Sequence, residues 1–319
     1  MLSLVLPVLL LVVGAVLLTA GAEGFAENVS GAASRLGVSV LALGVLLAGA
    51  EPEEAVTAML ASGQGHPALA AGDAIGANLV ILTLTLGLAA VVTRLRVGRR
   101  GLQYGVASAV LGAVAWLLML NGVLGRLEGL LLVLLYAGGV AWVWRREQQP
   151  PLIGELAELE EKGHHGDDGA EDSGRPLLMV LLGLVGMVVG GALAVRGAEG
   201  LVDVLHVGES VIGLTVLALA TSAEMVALVW AARRRGLTEL VVAGTVGAVA
   251  YNSTVTLGLA ALVSPLGLGR HNVIVMTAAL TAVLPLVLLT SARSGILPRS
   301  VGALLVVGYV ASMAFLLAG

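Results

Sequence analysis

The feature that most constrains this chain is a series of apolar runs, each about 20 residues long, separated by short polar gaps. At about 1.5 Å per residue, a helix of that length crosses the roughly 30 Å hydrocarbon core of a bilayer. Hydrocarbon offers no partner to backbone N–H and C=O groups, so each run must bond them within itself as a helix. Composition agrees, with 58% apolar and 12% charged residues against roughly 25% charged in soluble chains. Soluble enzymes, nucleic-acid binders and secreted disulfide scaffolds are thereby excluded. The absence of cysteine also removes disulfides, thiolate chemistry and cysteine-ligated zinc or iron–sulfur centres. The net charge of −4 carries little information, because nine of the 21 acids lie in one loop. Glycine, at 44 of 319 residues, points to helices that pack closely in lipid. A codon bias that also favours arginine over lysine contributes to the same count.

The fold class that follows is an all-α polytopic membrane protein of ten transmembrane helices. The spans fall at roughly 3–21, 38–62, 68–92, 103–120, 127–144, 177–195, 209–232, 238–263, 272–291 and 300–318. Ala20-Gly21-Ala22 resembles a signal-peptide cleavage site, but nothing basic precedes the first run, so it is taken as a retained span. Of the 17 basic residues, 14 lie in the connections after odd-numbered spans; only Arg126, Arg196 and Arg270 lie on the other side. That asymmetry assigns the odd connections to the cytoplasm and both termini to the outside. A wrong helix count would have scrambled it.

Self-similarity divides the chain. Adding 171 to the residue number superposes Gly37–Val92 on Gly208–Val263 without a gap, with about a third of positions identical. Glu53 falls on Glu224 and Gly76 on Gly247, and the block Thr85-Leu86-Gly87-Leu88-Ala89-Ala90 recurs from Thr256 to Ala261. Earlier in each half, Gly21-Ala22-Glu23-Gly24 returns as Gly197-Ala198-Glu199-Gly200, at an offset of 176. The domains are therefore a first five-helix repeat at 1–145, a linker at 146–176 and a second repeat at 177–319. An odd number of crossings inverts the second repeat relative to the first, an arrangement found in secondary transporters. The acidic linker carries His164 and His165 among its carboxylates. It is read as a solvated hinge, the alternative being a cytoplasmic metal-sensing segment.

Acids inside spans mark function, since each costs roughly 2.5–3.5 kcal/mol on insertion scales. Glu53 and Glu224 sit at corresponding depths in oppositely directed helices, so their carboxylates should face each other across the midplane. Two such acids require a cation between them, or protons. Pro52 should free the carbonyl of Ala48 and loosen the second span beside Glu53. Hard oxygen ligands surround the pair: Glu51 and Glu54 on the second span, Asp73 and Asn78 on the third, Thr221 and Ser222 on the seventh, and Asn252 and Ser253 on the eighth. Oxygen donors without midspan histidine suit calcium or sodium better than a transition metal. Packing hydrogen bonds are the alternative role for Ser253 and Thr254, an interfacial position for Asp73, and a helix interface for Glu51. Which of Glu53 and Glu54 faces the site is left open.

At these residues the sequence resembles the calcium/cation antiporter superfamily of sodium/calcium and proton/calcium exchangers. Gly72-Asp73-Ala74-Ile75-Gly76-Ala77-Asn78 with Leu86-Gly87-Leu88 is similar to the family stretch G-N-x-I-G-S-N and its downstream L-G-L. Ala220-Thr221-Ser222-Ala223-Glu224 is similar to its companion G-T-S-x-P-E or G-N-A-x-E. The resemblance implies alternating access, with the first and sixth helices sliding across the rest. The motif glutamate lies five residues after its glycine in the sodium branch and four after it in the proton branch. Gly49-Ala50-Glu51-Pro52-Glu53-Glu54 satisfies both, whereas Met225 occupies the longer spacing in the second half. Family hydroxyls are replaced by Ala50, Glu51, Ala77 and Ala248, a polar position by Ile81, and an acid by Asn252. These departures favour proton coupling. The expected function is Ca2+ exchange against H+, with Na+/Ca2+ exchange or another cation as the alternative. No cofactor is expected; the transported cation, Ca2+, has H+ or Na+ as counter-ion. The expected partners are inorganic cations and the lipid bilayer, with no nucleic acid, and the expected location is a prokaryotic inner (plasma) membrane. An organic-solute carrier would want aromatics or cationic residues at the midplane, but the chain has only ten aromatic residues, and Trp116, Trp142, Trp144 and Trp230 lie off the repeat motifs. An intramembrane enzyme would want a nucleophile or metal motif, and neither H-E-x-x-H nor G-x-S-x-G occurs.

Overall fold

The computed structural model describes residues 2–35, 51–147, 175–222, 225, 238–269 and 272–318. Ten helical segments order these residues. They are α1 Leu2–Arg35, α2 Pro52–Gly63, α3 Pro67–Val92, α4 Arg99–Met119 and α5 Arg126–Glu147 in the first half. The second half holds α6 Arg175–Leu205, α7 Glu209–Thr221, α8 Thr238–Tyr251 continuing through Asn252–Thr256 and Leu257–Val263, α9 Val273–Ser291 and α10 Arg299–Ala318. Among the described residues seven of these are long and apolar enough to cross a bilayer. Residues 148–174 of the linker and Glu224 lie outside the described residues.

Two helices are longer than expected. α1 runs 34 residues and α6 runs 31, well past the spans at 3–21 and 177–195. Both continue through the repeated Gly-Ala-Glu-Gly segment. The helices lie antiparallel, and the extension of α6 packs on the start of α1, where a Cβ on Gly197 would stand 2.7 Å from the Pro7 oxygen. On α1 the buried positions are Pro7, Leu11, Gly14, Leu18 and Gly21; on α6 they include Met187, Gly190, Ala194, Gly197 and Leu201. Both sets recur every three to four residues, which keeps one seam facing its partner. The backbones nearly touch, since a Cβ on Gly14 would stand 2.6 Å from the Ala194 nitrogen, and one on Gly190 would stand 2.6 Å from the Leu18 nitrogen.

The remaining helices surround α3 and α8, of whose spans 78% and 72% is buried, compared with 22% for α10. The internal repeat is visible in the contacts. A Cβ on Gly302 would lie 2.8 Å from the Gly87 oxygen, and one on Gly129 would lie 2.7 Å from the Gly258 oxygen. These are the same packing of α10 on α3 and of α5 on α8. The short connections repeat as well. β1 (Val123–Leu124) pairs antiparallel with β2 (Leu266–Gly267), while at the other end Arg96 bridges Ile296. Leu268 N–H donates to Gly122 O at 2.8 Å, and its counterpart Val97 N–H donates to Gly295 O at 2.9 Å. Gly122 and Gly295 both take positive φ, 85° and 67°, a conformation open to glycine without strain.

Candidate cation site

α2 begins abruptly. Glu51 has non-helical backbone (φ −112°, ψ 80°), and Pro52 opens the helix at its first position, where the missing N–H is not needed. The sequence reading ran one helix through 38–62 with Pro52 inside it. In the structure the proline starts the described helix, and the Ala48 carbonyl lies outside the described residues. Glu53 and Glu54 therefore occupy the first turn, where the positive end of the helix dipole favours carboxylates. All three acids, Glu51, Glu53 and Glu54, are buried.

Glu54 is the acid that meets α3 and α7. Ser222 of the second repeat bonds to its carboxyl, and Asp73 of α3 lies close enough for the two acids' charges to interact. Ser222 Oγ donates to Glu54 Oε1 at 3.1 Å, and Thr221 Oγ1 donates to Asp73 Oδ1 at 3.1 Å. The Thr221 hydroxyl also lies 3.2 Å from the carbonyls of Leu217 and Ala218 in its own helix. Asp73 comes this close because Gly72 and Gly213 let the two helices meet, with a Cβ on Gly72 falling 3.0 Å from Gly213 Cα. Glu53 lies about 100° around the helix from Glu54.

A second group forms on the α8 side. Asn252 Nδ2 donates to Glu51 Oε2 at 2.7 Å, and Thr256 Oγ1 donates to Asn252 Oδ1 at 2.9 Å. Asn78 Nδ2 donates to Ser253 Oγ at 2.9 Å, joining α3 to α8. Glu51 is also near enough to Asp73 for their charges to interact. The structure thus brings Glu51, Glu54, Asp73, Thr221, Ser222 and Asn252 together around the start of α2, and pairs Asn78 with Ser253 between α3 and α8. Thr254 does not join them, because its hydroxyl donates to the Ala250 carbonyl at 2.5 Å.

Three helices widen beside these clusters. Val80–Thr85, Gly213–Leu217 and Asn252–Thr256 are π-helical, a form concentrated at functional sites. Each wide turn misplaces a backbone carbonyl, and in each a threonine hydroxyl bonds back to the carbonyl four residues earlier: Thr83 to Leu79, Thr215 to Val211 and Thr254 to Ala250. The sequence reading missed this role. The available signal was the recurrence of Thr83 as Thr254 within the repeat.

Buried oxygens at Glu54 Oε2, Asp73 Oδ2 and Asn78 Oδ1 have no hydrogen-bond partner among the described residues. Such atoms call for an explanation, and as hard donors they suit an oxygen-ligated cation. Among the described residues no three of His, Asp and Glu converge on one metal position. Hydroxyl and amide oxygens would therefore have to complete any coordination shell.

Fold and polar centre together define a membrane carrier of inverted-repeat type. The family model for the sodium/calcium exchanger protein matches residues 6–145 and 175–318. The chain belongs to that family, whose members are cation/calcium antiporters. The Escherichia coli (strain K12) inner membrane protein YrbG is 29% identical over 96% of this chain and 95% of its own. The Methanocaldococcus jannaschii membrane protein MJ0091 is 27% identical over 71% of this chain and 70% of its own. The fold matches that of the sodium-calcium exchanger NCX_Mj soaked with 10 mM Na+ and zero Ca2+, with a TM-score of 0.62 at 23% identity, covering 98% of this chain and 99% of that one.

Proposed function

We propose that this antiporter exchanges calcium against protons by alternating access at the start of α2, with Glu54 and Asp73 as the shared carboxylates. The observation that carries the reading is the burial of these two acids near one another, each met by a hydroxyl of the opposite repeat, Thr221 on Asp73 and Ser222 on Glu54. Two buried carboxyls whose charges interact need positive charge beside them, as a proton or a cation. Calcium binding would expel the proton and proton binding would expel calcium, so the two ions take turns and cannot cross together. Glu51, Asn78, Asn252 and Ser253 supply oxygens from the adjoining cluster, and Glu224 and Glu53 complete the proposed set. The arginine-rich connections face the cytoplasm of a prokaryotic inner membrane, with calcium extruded outward.

Radioactive calcium uptake into proteoliposomes under an imposed pH gradient or an imposed sodium gradient tests the reading. Uptake under the pH gradient alone, lost in Glu54→Gln and in Asp73→Asn, is the expected result. Uptake driven only by sodium would make sodium the counter-ion. An absence of calcium flux under both gradients would remove calcium as the substrate.

A further inference from the structure

Away from the site, one histidine ties three elements together at the end of the bundle where α6 finishes and α7 begins. His66, in the connection between α2 and α3, lies between two acids. Its Nε2 is 3.0 Å from Glu199 Oε1 on α6, and its Nδ1 is 2.9 Å from Glu209 Oε1 in the first turn of α7. Both contacts are partly open to water, with the three side chains 29–33% exposed. A ring that donates to carboxylates from both nitrogens must carry a proton on each. A neutral ring has one acceptor nitrogen, which would face a carboxylate oxygen with no proton between them.

The repeat separates a structural need from an added device. Glu199 recurs as Glu23, but the position equivalent to His66 is Leu237, and that equivalent to Glu209 is Val38. The set joins one residue of the first half to two of the second, and its symmetry-related counterpart, Leu237 with Glu23 and Val38, lacks the histidine and one of the acids. The fold does not require it.

We propose that His66 is a proton-operated latch at this end of the molecule, holding α6 to the α2–α3 connection and to α7 while the ring is doubly protonated. Loss of one proton turns one attraction into a lone-pair repulsion and frees Glu199 from the core helices. α6 is free to respond as one piece with α1, because the glycine seam joins the pair along its length. The acids that face the ring are Glu199 from α6 and Glu209 from α7. Arg196 and Asp203 lie about one turn on either side of Glu199, and His206 follows α6; none of the three forms an ion pair among the described residues. A metal clasp is the competing use of one His and two Glu, but the two carboxylates approach opposite sides of the ring and do not converge.

The test needs no transport and so stands or falls apart from the choice of ions. The chain has no cysteine, so Gln64→Cys and Leu205→Cys can carry paired spin labels in lipid nanodiscs, in otherwise full-length protein. Their separation is read by pulsed electron resonance at about pH 5 and about pH 8, the range over which histidine ordinarily changes charge. The expected result is one short distance in acid and a second, longer population in alkali. His66→Gln and Glu199→Gln should each abolish that pH dependence. His66→Arg, which cannot lose its proton, should keep the short distance at both pH values. A distribution unchanged with pH in the parent, or a shift that persists in His66→Gln, would overturn the latch.

Discussion

At the residue scale, the chemistry depends on which oxygens meet. Thr221 offers one proton to Asp73, and Thr221→Val withdraws it from a buried acceptor, at a cost of about 1–3 kcal/mol. The expected outcome is a fall in calcium affinity of roughly tenfold, equivalent to about 1.4 kcal/mol, read by isothermal titration calorimetry. Thr221→Ser, which keeps the hydroxyl, should retain most of the affinity. The sequence singles out Glu51, Asp73, Asn78 and Asn252 as candidates because polar groups inside apolar runs stand out. It does not show that Glu51 is bonded to Asn252, or that Glu54 meets Asp73. Those pairings depend on the rotation of α2 about its axis, and a one-residue shift turns a side chain by about 100°.

At the element scale, the glycine seam between α1 and α6 determines how closely the two longest helices approach. Gly190→Val would drive a branched side chain into the α1 backbone, where even a Cβ would stand 2.6 Å from Leu18 N. Overpacking of this kind costs about 1–3 kcal/mol. A melting temperature lowered by several degrees in detergent is expected, with Gly138→Val, at an open position, as the neutral control. The π-helical turns respond more mildly. Thr254→Val should cost about 1 kcal/mol of stability and raise the KM for calcium, because Asn252 and Ser253 ride on the same wide turn. Apolar runs located six of the ten helices to within a few residues, while the spans at 38–62 and 209–232 run on into residues outside the described ones. They missed the full lengths of α1 and α6, because hydropathy records where a helix leaves hydrocarbon and not where its hydrogen bonding ends.

At the scale of the whole molecule, two ions that compete for shared carboxylates give a measurable signature. Apparent calcium affinity should fall by about tenfold for each unit by which pH is lowered, per proton displaced, measured as 45Ca binding to purified protein across a pH series. Orientation has its own test in the cysteine-free background: Arg99→Cys should be labelled by an impermeant maleimide only from the cytoplasmic side, and Asn121→Cys only from outside.

The sequence by itself determined that the chain is a ten-helix membrane protein with two related halves of opposite orientation, with acids buried at the centre. Each of these follows from a local or periodic property: run length, basic residues counted by connection, and self-similarity at a fixed offset. Only the tertiary structure decided that Glu54 is the acid of α2 that faces Asp73, that three helices widen into π-turns beside the site, and that His66 joins Glu199 to Glu209. Glu54 is 19 residues from Asp73, and His66 is more than 130 from either of its acids. Such distant contacts are set by how helices rotate and slide against one another, and that packing has no periodic trace along the chain.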